Sequence, residues 1–398
     1  MALTRADHEV RTKERSSAAS GPGDILQLVR DRAVETRRDV QELTGLSRMT
    51  VAQRVDALLS AGLIREGGPR TTGGRRANSL EFDVDHAVLL VAAVDTRHTH
   101  AAVTRLDGAV LADTEFAAAV TDGPGAVLRA LAETFADLLD SLAMPKERIG
   151  AVSISIPGPV DPHTGRPSQP PILPGWDAFP VIERMQEFVD VPVFVENDAD
   201  AMAFGEQTLN YETSSSLCLV KVSTGIGTGI VINGQIYHGV DGGAGDIGHI
   251  RLAGETAICQ CGSVGCLAAV ASGRAVARAL SAMGLTVESG RDVAALMHAG
   301  NVHALRLTHE AGTRIGEVLA TVVSTLNPGV LLVGGDLASS ALIGGIREAL
   351  YPRSLARATR NLDIRLSTLG ADAGIAGLAR VAVNTLYAPE AVNRALAG

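Results

Sequence analysis

Aromatic residues are scarce in this chain of 398 residues: Phe, Tyr and Trp make up 3% of it, with a single Trp. The core must therefore be built from Ala, Val, Leu and Ile. Long apolar runs are also missing, because no stretch approaches the roughly 18 apolar residues of a membrane span. Cysteine is limited to four residues and no signal-peptide pattern is seen, which argues against a disulfide-stapled secreted domain. We expect a cytoplasmic protein without membrane contact.

The length and charge of the chain indicate several domains with different partners. A chain of 398 residues is too long for one hydrophobic core, so two or three domains are expected. The net charge of -9 hides an asymmetry, since residues 1–80 carry a balance of +4 and residues 81–398 a balance of -13. A basic front ahead of an acidic body confines any nucleic-acid contact to the front.

Three of the four cysteines lie close to one histidine, in the set His249, Cys259, Cys261 and Cys266. Zinc takes four sulfur or nitrogen ligands in a tetrahedron, and a Cys3His set that fills every position is the closed, structural type. Gly262 and Gly265 allow the tight turns that this convergence needs. Two disulfides are the alternative, but a reducing cytosol favours metal. We predict one structural Zn²⁺ per chain, and we expect Cys218, in an apolar run, to be a buried hydrophobe.

Residues 23–82 have the pattern of a winged helix-turn-helix domain. Three helices are indicated, with Asp24, Thr36 and Ser47 as their capping residues and Gly45 as the left-handed end of the second. A stretch rich in Gly and Arg then leads into a strand, as a wing would. Residues 1–22 are polar and lack periodicity, so we expect a disordered tail there.

The outer face of the third helix carries side chains suited to DNA, namely Arg48, Thr50, Gln53 and Arg54. These residue types bond base edges and phosphates, and they stand at the start of the helix that enters the major groove in this motif. Arg75 and Arg76, at the tip of the wing, are placed to reach phosphates or a minor groove. The pattern predicts binding to double-stranded DNA; the alternative is a small interaction module with a solvated charged face.

Strands and helices alternate from residue 86 onward, and a second such set starts near residue 216. This predicts an α/β body of two domains with a ligand cleft between them. We expect the smaller α/β domain to comprise residues 86–205 together with the C-terminal helix 372–388. The larger α/β domain would then comprise residues 206–371 and hold the zinc site.

Four motifs in this body resemble the ROK family of repressors and sugar kinases, which belongs to the actin-like ATPase superfamily. They are residues 156–161, residues 196–199, the glycine-rich run 225–229 with His249, and the cysteine segment 259–266. The resemblance covers about residues 24–388, and the front is similar to the repressor branch. It implies a two-domain actin-like fold and a transcriptional regulator, expected to be a repressor of carbohydrate-related genes. Such a regulator would bind a palindromic operator as a dimer or tetramer and answer to a sugar or sugar derivative in the cleft.

The resemblance also implies roles for individual residues. In the kinases of the family, the residue matching Asp198 is the general base and the residue matching Asn197 holds another sugar hydroxyl. The expected ligand-binding set is Gly158, Asn197, Asp198, Asp246 and His249, and the expected remnant of a phosphate loop is Gly225, Gly227 and Gly229. Considered without the resemblance, Asp198 also fits a helix N-cap, and the glycine run also fits a tight hairpin.

Two departures from the kinase pattern argue against phosphoryl transfer. Where the kinases have two glycines after the first strand, this chain has Arg97 and His98, which we expect to fill the phosphate seat. Ala268 stands where the family usually has a sugar-binding Glu. We therefore expect a regulator without enzymatic activity. The alternatives are an ATP-dependent sugar kinase with an accessory DNA-binding domain and a DNA-binding protein that needs no ligand.

Overall fold

The computed structural model describes residues 21–72, 75–170 and 173–397, and it gives the backbone alone for residues 69–72 and 75–77. Most of the predicted tail, residues 1–20, lies outside the described residues. The front of the chain forms a domain that we call the head, with elements α1 Pro22–Arg30, α2 Arg37–Thr44, α3 Arg48–Ser60, β1 Ile64–Thr72 and β2 Arg75–Phe82. The strands β1 and β2 pair antiparallel, so the predicted wing is a hairpin.

Local capping chemistry explains where the head helices begin and end. The side chain of Thr36 accepts the N–H of Asp39, that of Ser47 accepts the N–H of Thr50, and Gly45 has a φ of 72° at the end of α2, as predicted. The expectation for Asp24 was wrong. The N-cap is Gly21, and the Asp24 carboxylate accepts its N–H from within the first turn. The helix begins early because Pro22 has a preset φ and no N–H to satisfy at the first helical position.

The body contains two five-stranded sheets with the same topology. The strands of the first sheet lie in the order β5-β4-β3-β6-β7, and those of the second in the order β10-β9-β8-β11-β12. In each, three antiparallel strands are extended by two parallel ones. The bounds are β3 Val88–Val94, β4 His98–Arg105, β5 Val110–Ala117, β6 Ile149–Ile156, β7 Val193–Asn197, β8 Ser216–Val222, β9 Ile226–Ile232, β10 Gln235–Ile236, β11 Val330–Gly334 and β12 Asp363–Leu366.

Helices cover both sheets, as expected for an α/β body. They are α4 Pro124–Ser141, α5 Val181–Gln186, α6 Asp198–Asn210, α7 Leu267–Ala271, α8 Gly273–Ala282, α9 Gly290–His298, α10 Val302–Leu326, α11 Ser340–Arg353, α12 Ala356–Thr359, α13 Asp372–Leu386 and α14 Pro389–Ala397. Within the described part of the chain, none combines the length and apolar character needed to cross a bilayer.

Two helices, α6 and α13, cross between the domains. Helix α13 follows β12 of the second sheet but packs on β3 and β6 of the first. Helix α6 follows β7 of the first sheet but packs on β8 and β9 of the second, and Glu206 near its end accepts the N–H groups of Thr368 and Leu369. The predicted boundary between residues 205 and 206 therefore falls inside a helix that both domains share.

The head and the first domain share one hydrophobic core. Buried residues of α1, α2 and α3 belong to the same cluster as Leu89, Val91 and Ala151 of the first sheet and Leu378 and Ala382 of α13. Helix α14, which the sequence did not predict, packs on α1, and the Gly23 N–H donates to Asn393. The head is thus held on the body by buried apolar surface, not only by its linker.

Candidate functional site

A cleft between the two domains brings together most of the residues that the resemblance pointed to. Its lining includes Gly158, Asn197, Asp198, Asp246 and His249, together with Ala268 at the position of the missing Glu. These residues come from the ends of β6 and β7, the loop after β10, and the start of α7. Residues from separated motifs therefore line one cavity, and their binding of a ligand stays a prediction.

Lys221 also lines this cleft, and no motif in the sequence pointed to it. From β8 its ammonium lies 2.6 Å from Asp198 Oδ2 and 3.4 Å from Asp95 Oδ2. The side chain is only 12% exposed. Asp95 directly follows β3 and Asp198 opens α6, so a lysine of the second domain is paired with two carboxylates on the opposite side of the cleft.

The charges of this group depend on one another. Burial tends to lower the pKa of Lys221, but the attraction of Asp198 and then Asp95 outweighs it and raises that pKa above its ordinary value. Burial alone would raise the pKa of Asp95. Lys221 and the hydrogen bonds from Thr96 outweigh burial and hold the pKa of Asp95 below its ordinary value. For Asp198 burial prevails over the attraction of Lys221, so its pKa is raised. The lysine stays protonated, and the Asp198 carboxyl group is engaged in an ion pair with it.

The loop after β3 does not have the arrangement that we expected. Arg97 does not line the cleft: its side chain is 55% exposed and pairs with Glu288 at 3.5 Å, and His98 begins β4. The expectation that these two residues fill the phosphate seat was therefore wrong. Thr96 of this loop contacts the facing domain instead, because its hydroxyl lies within hydrogen-bond distance, 2.8 Å, of the hydroxyl of Thr224. Thr96 and Lys221 occupy the space between the two domains at this point.

The three glycines of the predicted phosphate-loop remnant have different surroundings. Gly225 and Gly227 line the cleft, and a Cβ at Gly225 would meet open space. Gly229 is not part of the lining, and a Cβ there would overlap the carbonyl oxygen of Ala199 in α6. Gly229 thus permits close packing of β9 on α6, and only the first two glycines offer backbone to a ligand.

Asn197 is the N-cap of α6, a role that the sequence left open for Asp198. Its Oδ1 accepts the N–H groups of Ala199 and Asp200, and its Nδ2 donates to the carbonyl of Gly158 at 2.8 Å. This amide therefore fixes the start of α6 and the turn at Gly158 in one network. Because Asn197 caps the helix, Asp198 can accept a hydrogen bond from Lys221 at its Oδ2, and it lines the cleft.

The predicted metal ligands converge at one end of the cleft. His249, Cys259, Cys261 and Cys266 place their ligand atoms within 4.8 Å of one another. Cys261 Sγ lies 3.7 Å from Cys266 Sγ, and His249 Nδ1 lies 3.6 Å from Cys259 Sγ. A tetrahedral zinc site with ordinary bond lengths requires about 3.8 Å between sulfurs and about 3.6 Å between sulfur and nitrogen. The group fits a metal ion, and Nε2 of His249 is left facing Asp246 at 4.0 Å.

Cys218 lies apart from this group, as expected. It is buried in β8, and burial raises the pKa of its thiol to about 12. A thiol held in the protonated form does not ligate metal at neutral pH.

Changing Cys266 to Ser tests the metal centre. Cys266 is fully buried, and hydroxyl is a poor zinc ligand, so we expect Cys266→Ser to reduce tightly bound metal from one ion per chain to well under one. Metal analysis of the purified protein measures this. Cys218→Ser is the matched control and should leave the metal content unchanged. Equal metal in both variants would show that the cluster is not the site.

The residues predicted to contact DNA differ in their exposure. Arg48 and Gln53 are exposed on α3, whereas Thr50 is half-buried and its hydroxyl lies 2.8 Å from that of Ser47. Arg54 is half-buried, and its Nη1 has no hydrogen-bond partner among the described residues. Arg75 and Arg76 pair with Thr72 and Thr71 in the hairpin, but their side chains lie outside the described residues.

Comparison with known proteins identifies both parts of the chain. The model of the ROK family matches residues 92–385, and that of the winged helix-turn-helix DNA-binding domain matches residues 23–65. The chain belongs to the ROK family. This ROK chain has the actin-like kinase fold of the family in its body, with a winged helix-turn-helix in front, as predicted.

Individual relatives of this ROK chain include both regulators and kinases. The xylose repressor of Bacillus subtilis (strain 168) is 25% identical over 88% of this chain and 91% of the relative. The glucokinase of Halalkalibacterium halodurans is 30% identical over 64% of this chain and 83% of the relative. Among solved structures, a ROK family transcriptional regulator described as a homologue of the Escherichia coli MLC protein has a TM-score of 0.79 and 24% identity, over 97% of this chain and 100% of that one. That structure shares the head as well as the body.

Proposed function

We propose that this chain is a transcriptional repressor that binds operator DNA through its head and releases it when a sugar or sugar derivative enters the cleft. The two family matches support this reading, because a DNA-binding domain precedes a body of sugar-kinase type. The regulator relative spans nearly the whole chain, whereas the glucokinase relative matches 64% of it.

One structural observation carries the proposal: the cleft is connected to the head through packed helices. Asp198 in the cleft opens α6, and α6 packs along α13. At the far end of α13, Asn384 and the carbonyl of Tyr387 accept hydrogen bonds from Arg30 of α1. A ligand that shifts α6 would therefore shift the helix on which the head is seated, and a small rotation moves two recognition helices out of register with their half-sites.

The ion pair between Lys221 and Asp198 argues against enzymatic activity. A general base must be free to take a proton from the sugar hydroxyl, but Asp198 is already paired with an ammonium group. We propose that a sugar binds here without turnover. Coupled assays with ATP and a panel of hexoses and pentoses test this, and turnover that disappears in Asp198→Asn would establish the kinase reading instead.

For the metal centre, we propose Zn²⁺ in a structural role. The three thiols and His249 would hold the ion, and His249 would present Nε2 towards Asp246 and the ligand. The ion would fix the loop 245–266 against the cleft. We further propose a homodimer or tetramer, because a palindromic operator needs two heads.

The proposed function is tested by selecting genomic DNA fragments that the full chain binds and then titrating sugars against the complex. D-xylose is the first sugar to try, because the Bacillus relative is named a xylose repressor. We expect a sugar to weaken operator binding in a gel-shift assay. If no sugar changed either DNA binding or the thermal stability of the protein, a ligand-independent DNA-binding protein would replace our proposal.

A variant at Arg48 tests the DNA surface. Arg48 is exposed on α3 and makes no ion pair with another described residue, so its loss should leave the fold unchanged. We expect Arg48→Ala to weaken operator binding by about 1 to 3 kcal/mol, as measured by gel shift. Arg306→Ala, on α10 of the body, serves as control. Operator affinity equal to that of the unmodified protein would remove Arg48 from the interface.

A further inference from the structure

A second group of metal-ligating side chains lies beside the cleft but outside its lining. Glu196 is the last residue but one of β7, Asp200 lies in the first turn of α6, and His238 follows β10. One ligand atom from each lies within 4.8 Å of the other two. Glu196 and Asp200 are 6% and 3% exposed, so two carboxylates face each other away from water.

The hydrogen bonds of this group leave one carboxylate poorly satisfied. Glu196 Oε2 lies 2.9 Å from His238 Nε2, and Glu196 Oε1 accepts the N–H of Asn197. Among the described residues, Asp200 accepts a single long hydrogen bond, from the N–H of Ile230 to Oδ1 at 3.4 Å, and nothing donates to Oδ2. Burial, and then the neighbouring Glu196 carboxylate, raise the pKa of Asp200 well above its ordinary value. One hydrogen bond of 3.4 Å stabilises this carboxylate only weakly, so a bound cation or proton would stabilise it further.

We propose that Glu196, Asp200 and His238 form a second divalent-metal site, for a first-row transition ion such as Mn²⁺ or Zn²⁺. Carboxylate oxygen and imidazole nitrogen are the donors that these ions accept, and the imidazole disfavours Mg²⁺ and Ca²⁺. Atoms bound to one ion lie at most about 4.4 Å apart, so a small inward movement of the side chains completes the site. His238 is 30% exposed, which gives the ion and its remaining water ligands a route from solvent.

The position of this site gives the ion a specific structural consequence. Glu196 and Asp200 flank Asn197 and Asp198, the residues that cap α6 and line the cleft. His238 belongs to the loop that continues to Asp246 and His249 on the facing domain. An ion bound here would tie the start of α6 to that loop, so it would stiffen the cleft from the side opposite the cysteine cluster.

The experiment uses the full chain with its cysteine site first loaded with one equivalent of Zn²⁺. Mn²⁺ is then titrated and its free fraction is followed by electron paramagnetic resonance, because Mn²⁺ prefers oxygen and nitrogen ligands to thiolate. We expect one bound Mn²⁺ per chain and an increase in the melting temperature on binding. Millimolar Mg²⁺ should not displace the ion.

Two conservative variants and one control identify the site. Asp200→Asn keeps the shape of the side chain and His238→Gln keeps a polar one, and each should weaken Mn²⁺ binding at least tenfold. Asp241→Asn, in the same exposed loop region, should bind Mn²⁺ as the parent does, and all three should keep their zinc. No bound Mn²⁺ in the parent, or undiminished binding in Asp200→Asn with the fold intact, would overturn the proposal. Neither outcome would contradict the proposal that the chain is a sugar-responsive repressor, because the experiment measures neither DNA binding nor sugar binding.

Discussion

Replacing Lys221 with Met should lower the free energy of unfolding by about 3 to 5 kcal/mol at pH 7, the cost of leaving buried charges without their partner. Asp198 and Asp95 are 14% and 30% exposed, so water cannot take over the role of the ammonium group fully. The double variant Lys221→Met with Asp198→Asn should recover much of the loss, because one of the two orphaned charges is removed. Urea denaturation of the three proteins measures this.

The effect of Lys221→Met should also depend on pH with a defined sign. In the parent, Asp95 has a lowered pKa, so its contribution to stability is present above the pKa of the unfolded chain and is lost only as the pH falls through the lower folded value. In the variant both carboxyl groups lose the ammonium and their pKa values rise. Protonation then relieves the repulsion, and the gap between variant and parent should narrow as the pH falls from 7 towards 5.

Lys146→Met supplies the control for this prediction, since Lys146 is exposed and makes no ion pair with another described residue. Its unfolding free energy should stay within about 0.5 kcal/mol of the parent. A difference of under about 1 kcal/mol for Lys221→Met would mean that solvent reaches these charges. The ion pair would then be weak, and the proposal that Lys221 keeps Asp198 from acting as a general base would lose its support.

Gly377→Ala should be nearly as destabilising, at about 3 kcal/mol, the upper part of the range for an overpacked core. A Cβ at Gly377 of α13 would overlap the carbonyl oxygen of Ala201 in α6, and one at Gly205 of α6 would overlap the carbonyl of Ala373. Each helix thus brings a glycine against the backbone of the other, which leaves no flexible side chain to move aside. Thermal and urea unfolding measure the loss, and a gel shift should show weaker DNA binding, because α13 seats the head.

Gly125→Ala is the appropriate comparison for Gly377→Ala. Gly125 also lies in a helix, but a Cβ there would meet no atom within 4 Å. That variant should be neutral or more stable by up to about 1 kcal/mol, because alanine reduces the freedom of the unfolded chain. If Gly377→Ala behaved in the same way, the close approach of α6 and α13 would have to be wider than described.

Local chemistry allowed much of this fold to be predicted from sequence. Thr36, Gly45 and Ser47 follow capping rules that involve only neighbouring residues, and the structure confirms all three. The convergence of one histidine and three cysteines was predictable for a similar reason, since His249 to Cys266 is a short segment. The start of α1 was missed because two signals compete there, and Pro22 at the first helical position prevails over Asp24 as a cap.

Contacts between distant segments could not be predicted in this way. Lys221 stands in an apolar strand, and its partners are 23 and 126 residues away, so no pattern within the strand shows what it faces. A single charged residue inside a buried run was the available signal, because such a charge needs a partner. Arg97 shows a second limit of the sequence. It was expected to fill the phosphate seat because it replaces a glycine of the family loop, but its side chain turns towards Glu288 of the other domain.

The apolar cluster shared by α1, α2, α3, the first sheet and α13 bears on how the molecule melts. Modules with separate cores can denature one after another, whereas segments that bury the same side chains lose them together. Calorimetry should therefore show no independent early transition for the DNA-binding end. A fragment cut after Phe82 would expose to water the surface that Tyr387 and α14 normally cover, so it would be a poor substitute for the full chain in operator studies.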